Sequence, residues 1–148
     1  MLIDDFNNAR IGKPFETLGL QKVDGENGFL LRAWLPSAKS VEVRSIDGTK
    51  HICDLTLVHP DGLFEEKVNV DKPFHYLFKV TYQDAVVEVI DPYQFRDEAF
   101  FGLSTMNEEP ANIYKTLGAQ LIEVDVDGVK VKGTKFAVYA PSATAVSV

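Results

Sequence analysis

The chain has 148 residues, 45% of them hydrophobic, and 22 acidic side chains outweigh 15 basic ones to leave a formal charge of -7. That composition suits one domain with a real core plus an appendage; no run approaches the roughly 20 apolar residues that cross a bilayer, and an acidic surface without a Lys/Arg cluster disfavours nucleic acid as a partner. Met1-Leu2-Ile3-Asp4-Asp5 lacks the cationic start of a signal peptide, and Cys53 has no second cysteine to pair with, so a cytoplasmic protein in a reducing compartment is expected.

In chain order, Ile3 to Ile11 reads as a short opening helix, and Lys13-Pro14 as the start of an extended stretch, because proline biases its predecessor away from helix. Asp24-Gly25-Glu26-Asn27-Gly28 reads as a hairpin turn. Phe29, Leu31, Ala33 and Leu35 then alternate with Leu30, Arg32 and Trp34, a strand with one fully apolar face that Pro36 ends. Further strands are expected at Ser40 to Ser45, Lys50 to Val58, Leu63 to Val68, Phe74 to Tyr82 and Val86 to Ile90. The turn signals Asp47-Gly48, Pro60-Asp61-Gly62 and Gln83-Asp84 separate them. About seven short strands at this spacing predict an all-β fold, an immunoglobulin-like antiparallel β-sandwich. Asp91-Pro92-Tyr93 closes the unit. Asp97 to Ile113, less periodic and containing Pro110, reads as a linker with a helical turn around Glu98 to Leu103.

The next segment repeats the first. Phe15-Glu16-Thr17-Leu18-Gly19-Leu20-Gln21 returns as Tyr114-Lys115-Thr116-Leu117-Gly118-Ala119-Gln120, Leu31 to Leu35 returns as Phe136 to Ala140, and Pro36-Ser37-Ala38 with Val41-Glu42-Val43 as Pro141-Ser142-Ala143 with Val146-Ser147-Val148. A period this long means tandem copies of one domain, since solenoid units run to only about 20 to 50 residues. Strands are expected at Ala119 to Val126, Val129 to Lys132 and Thr134 to Ala140, the first two joined by the strong hairpin signal Asp127-Gly128. A β-type run that reaches Val148 leads us to expect a piece of a longer protein: residues 1–96 a sandwich, 97–113 a linker, and 114–148 the first strands of a second, truncated sandwich. Its unpaired edges lead us to expect Gln120 to Val148 either to pack against the first sandwich or to pair with the same segment of another copy.

Catalytic constellations are not evident. His51, His59 and His75 share no metal-ligand spacing with one another or with Cys53, so no metal and no cofactor is expected. Asp125-x-Asp127-Gly128 is a turn, because a calcium loop needs a longer ligand series and Lys130 and Lys132 stand in its place. Asp4-Asp5, Glu65-Glu66 and Glu108-Glu109 are sequence neighbours that would face opposite ways in strands, unlike an acid/base pair. No glycine loop for phosphate and no serine-nucleophile signature is present.

Pro14-Phe15-x-Thr17-Leu18-Gly19, Asp91-Pro92-Tyr93-Gln94-Phe95, Tyr114-Lys115-Thr116-Leu117-Gly118-Ala119 and Gly133-Thr134-Lys135-Phe136-Ala137-Val138-Tyr139-Ala140-Pro141-Ser142-Ala143 together resemble the N-terminal region of the bacterial 1,4-α-glucan (glycogen) branching enzymes. The order and spacing of these motifs carry the resemblance over nearly the whole chain. It implies a first β-sandwich module, the start of a family 48 carbohydrate-binding module, and a downstream (β/α)8 barrel that holds the catalytic Asp and Glu, so no catalytic residue falls within this chain. The sequence departs from the family pattern at Lys13, at Arg96-Asp97 and at Tyr139, where tryptophan is commoner.

The resemblance makes an α-glucan chain and the neighbouring modules of the parent enzyme the expected partners. Sugar-binding modules stack a pyranose on an exposed aromatic ring. Trp34, on the strand face opposite Leu31 and Ala33, is therefore a packing residue, a domain contact or a sugar platform; Arg32 shares its face, and Tyr82 ends a stripe with Tyr76, Phe78 and Val80. Two functions follow: an accessory module that positions glucan and influences the length of chain transferred, or a spacer that touches protein and not sugar. An immunoglobulin-like adhesion domain is disfavoured by the missing signal peptide.

Overall fold

The computed structural model describes residues 2–8, 10–23, 27–95, 117–140, 142–144 and 146. The chain divides into two compact units, Met1–Arg96 and Asp97–Val148. In the first, a helix α1 (Leu2–Asn7) and a single helical turn α2 (Pro14–Thr17) precede seven strands: β1 (Gly19–Lys22), β2 (Phe29–Trp34), β3 (Ser40–Ser45), β4 (His51–His59), β5 (Leu63–Val68), β6 (Tyr76–Thr81) and β7 (Val86–Ile90). A 3-10 turn, Pro92–Gln94, closes the unit.

The strands form one curled antiparallel sheet in the order β1-β2-β5-β4-β3-β6-β7. Strand β4 belongs to both of its halves. Val41 to Val43 of β3 face Leu55 to Cys53 of β4, whereas Thr56, Leu57 and His59 of β4 face Glu65, Phe64 and Leu63 of β5. Register shifts at both pairings, between Val43 and Arg44 and between Leu57 and His59, mark the irregularities by which a strand bends and changes partners. The result is the all-β sandwich that the alternation predicts: Leu31, Ala33, Val41, Val43, Leu55, Phe64, Val68, Tyr76, Phe78 and Val80 form one buried cluster between the halves. Each of its valine, leucine and phenylalanine side chains contributes roughly 1.5–3 kcal/mol by burial.

A second cluster lies on the outer face of β2 and β5. Phe6, Leu18 and Leu63 are buried there, with Ile3, Ile11, Trp34 and Tyr93 packed around them. This is why the opening segments fold back on the sheet. The helix expected over Ile3 to Ile11 stops earlier, at Asn7: the Asp4 carbonyl accepts from both the side chain and the N–H of Asn8, at 2.6 and 3.0 Å, and Arg10 N–H then reaches back five residues, not four, to the Asp5 carbonyl at 2.7 Å. The extended stretch expected from Lys13-Pro14 is instead the turn α2, with Pro14 in its first positions. The steric rule acts on Lys13, which at φ -136° and ψ 70° lies outside the helical region; proline itself is preset for the first helical position.

In the second unit, β8 (Gly118–Val126) and β9 (Val129–Ala137) make an antiparallel hairpin. Asp127 at φ 52° and Gly128 at φ 82° form its two-residue turn, as the Asp-Gly signal requires. The two runs expected at Val129 to Lys132 and Thr134 to Ala140 are one strand, because Gly133 stays in register opposite Ile122, and it ends at Ala137, short of the expected Ala140. The segment 97–113, its expected helical turn at Glu98 to Leu103, and Asp24 to Glu26 of the first hairpin turn lie outside the described residues.

The repeat is visible in local geometry. Gly19 and Gly118 both have positive φ, 75° and 84°, and the Gln two residues after each glycine donates through Nε2 to the leucine carbonyl before it: Gln21 to Leu18, and Gln120 to Leu117 at 3.1 Å.

Candidate functional site

Arg32 and Trp34 lie on the outer face of β2, as their alternation with Leu31 and Ala33 requires. Cross-strand register sets Arg32 opposite Glu65 and Trp34 opposite Leu63. Arg32 Nε donates to Glu65 Oε1 at 2.5 Å and its Nη1 donates to the Thr17 carbonyl at 3.1 Å. The guanidinium thereby links β5 to the end of α2, and both members of the ion pair are largely screened from water. Trp34 is stacked on Phe6, ring centroids 4.8 Å apart and planes 10° from parallel. One face of the indole is thus covered by α1, which is itself moored to the β4–β5 turn by Asn7 Nδ2 donating to Asp61 Oδ2 at 2.7 Å.

Tyr82 is elsewhere. It follows β6, half-buried against the main core cluster, and β2 and β6 are separated in the sheet by β5, β4 and β3. The structure brings Arg32 and Trp34 together and leaves Tyr82 apart from them.

A polar centre that sequence reasoning passed over sits at the end of the unit. Asp91 is 4% exposed and Tyr76 fully buried. Tyr76 donates its hydroxyl to Asp91 Oδ2 at 2.5 Å, while Asp91 Oδ1 accepts from the Tyr93 N–H at 3.0 Å and caps the 3-10 turn. Gln94 completes the link: its Oε1 accepts from Tyr76 N–H at 3.0 Å, and its Nε2 donates to the carbonyls of Tyr76 and Asp91. Burial pushes the Asp91 carboxyl up, against the lowering effect of these hydrogen bonds, and burial beside Asp91 pushes the Tyr76 phenol up as well. The local signal was present, since Asp followed by Pro is the pattern of a capping residue and a first helical position. Tyr93 leans edge-on against Phe15, centroids 5.4 Å apart, so Asp91-Pro92-Tyr93 ties the end of the sheet to α2.

Cys53 is half-buried and its thiol is pushed up to about 11, chiefly by burial, which suppresses the thiolate. Among the described residues no group of three His, Cys, Asp or Glu side chains is placed to hold a metal ion, and no helix is long and apolar enough to cross a membrane.

Residues 2–93 match the family model described as the alpha-1,4-glucan branching enzyme GlgB N-terminal domain. Over 144 residues the chain is 41% identical to the 1,4-alpha-glucan branching enzyme GlgB of Pseudoalteromonas atlantica, a match covering 95% of this chain and 19% of that protein. The corresponding enzyme of Synechocystis sp. is 34% identical over 142 residues, covering 91% and 18%. The chain therefore spans less than a fifth of the length of these relatives. A solved structure, the catalytic module of the multi-modular glycogen-degrading pneumococcal virulence factor SpuA in complex with an inhibitor, superimposes on 52% of this chain and 13% of its own at 20% identity and a TM-score of 0.39, too loose a likeness to bear on fold or site.

Proposed function

We propose, on the premise that the chain belongs to the family of alpha-1,4-glucan branching enzyme GlgB N-terminal domains, that it is the non-catalytic accessory region of a cytoplasmic enzyme that forms α-1,6 branches in glycogen. In this reading residues 1–96 are the first module, 97–113 a linker and 114–148 the opening strands of a family 48 carbohydrate-binding module. The first module influences the length of chain transferred by fixing where neighbouring modules sit, with any glucan contact weak. The observation that carries this reading is the stacking of Trp34 on Phe6. Trp34 is the sole tryptophan, and a sugar platform offers an open ring face; Phe6 takes one face of this ring, and Trp34 and Arg32 hold α1 and α2 on the sheet.

The test has two arms. Affinity electrophoresis of the 148-residue chain through glycogen should show little retardation. Deletion of residues 2–96 from the parent enzyme should shift the chain-length profile of its debranched product while branching persists. An unchanged profile sinks the accessory role. Strong retardation that Trp34→Ala abolishes without lowering thermal stability would replace positioning by direct sugar binding.

A further inference from the structure

Among the described residues strand β7 ends the seven-stranded sheet, and its outer edge has few of the devices that blunt such edges. Val86-Val87-Glu88-Val89-Ile90 contains no proline, lysine or bulge, and Val86, Val87 and Val89 are 56%, 40% and 38% exposed. Val87 and Val89 pair with Val80 and Phe78, so they extend the core face of the sandwich beyond its covered part. An apolar edge of this kind is a template for another strand.

Hydrogen-bond parity restricts which residues such a strand can meet. Tyr82 N–H donates to the Ala85 carbonyl at 2.8 Å, so that pair is of the hydrogen-bonded class. Alternation puts Val80 with Val87, and Phe78 with Val89, in the same class. Val86, Glu88 and Ile90 therefore turn their N–H and C=O groups outward. In the hairpin of the second unit the closing pair Val126 with Val129 is hydrogen-bonded, as a two-residue turn demands. By the same alternation Lys130, Lys132 and Thr134 turn theirs to the outer edge of β9. Outward residues can pair only with outward residues.

Charge then selects the pairing. Joining β7 to a second β7 sets Glu88 against Glu88, or against Val86 or Ile90. Joining β9 to a second β9 sets lysine against lysine, or slips to leave Lys130 opposite Phe136 and Lys132 opposite Thr134 with no counter-charge. The edge of β8 carries acidic Glu123 and Asp125, which repel Glu88. Joining β7 to β9 sets Glu88 opposite Lys130, with Val87 opposite Val131 and Val89 opposite Val129; a slip of two residues offers Lys132 instead. Glu88 already faces Lys79 across the sheet, Lys79 faces Glu42, and Lys130 faces Asp125 within its hairpin. The joined row reads Asp125, Lys130, Glu88, Lys79, Glu42, with alternating sign throughout.

We propose that the open edge of β7 docks β9 of a second copy of this chain, added antiparallel with Glu88 opposite Lys130. Sedimentation velocity on the 148-residue chain over a range of concentrations tests it. The chain should self-associate. Glu88→Lys, or Lys130→Glu combined with Lys132→Glu, should weaken association by roughly tenfold, and the three changes together should restore it. Val86→Pro removes an outward donor at the first residue of the strand and leaves the ladder to β6 intact; it should give a monomer whose circular dichroism and melting match the parent chain. A chain that is monomeric at every concentration overturns the proposal, as does an oligomer indifferent to Glu88→Lys, or a triple variant that fails to re-associate. Indifference to Glu88→Lys together with a monomer on removal of Leu121 to Val148 would point instead to pairing between like tails.

Discussion

Asp91 shows how one buried carboxyl leaves a signature in solution. Burial raises it above the unfolded value of 3.8, so the folded chain holds this proton more tightly than the unfolded chain does. The stability it contributes is fully present below 3.8 and is lost as pH rises through the raised folded value. Asp91→Asn should remove that slope: the stability of the parent chain relative to the variant, followed by urea unfolding at successive pH values, should decline through this window and then level off. Asp91→Ala, which strands the fully buried Tyr76 hydroxyl, should cost about 2–3 kcal/mol at neutral pH. Trp34→Ala opens a hole between Phe6 and Leu63, and a loss of about 2 kcal/mol is expected by the same measurement. Alternation alone placed Trp34 and Arg32 on the outer face of their strand. It did not reveal what covers them, because Phe6 and Thr17 reach that face through tertiary folding of the N-terminal segment, which no period encodes. The Tyr76–Asp91 contact was hidden for the same reason, although the capping role of Asp91 was written in Asp-Pro.

The glycines test the elements. Gly62 lies in the β4–β5 turn at φ 113°, where an added Cβ would come within 2.6 Å of Pro36; Gly62→Ala combines backbone strain with a backbone clash. It should lower stability by more than about 2 kcal/mol in chemical denaturation. The repeated pair gives an internal comparison. Gly19 and Gly118 share a left-handed conformation, but a Cβ at Gly19 would meet the Tyr93 carbonyl at 2.9 Å, whereas no described atom lies within 4 Å of one at Gly118. Alanine should therefore cost about 1 kcal/mol at Gly118 and clearly more at Gly19. The strands were the most legible part of the sequence, since Ser40–Ser45, Leu63–Val68 and Val86–Ile90 have the bounds that alternation and turn residues set. The register was not legible, because a hairpin turn fixes only its own pair of strands. That β5 lies between β2 and β4 follows from packing at long range.

At the scale of the whole chain, the first unit has its own core and a closed hydrogen-bonded end at Asp91 to Gln94. Residues 1–96 expressed alone should keep a single cooperative thermal transition within a few degrees of that of the same unit in the full chain; a broad or absent transition would show that the second unit supports it. Within that unit, β4 has a consequence for motion. A strand that gives His51 to Leu55 to one half of the sandwich and Thr56 to His59 to the other cannot leave either half without opening both. Deuterium exchange should therefore find no sequence in which one half opens before the other: the amides of β4 and those of Val41, Val43, Phe64 and Phe78, drawn from either side, should share one slow opening rate, that of global unfolding. If the β3 side exchanges well ahead of the β5 side, the joint at Leu55 and Thr56 is a hinge and the sandwich has a way to come apart in pieces.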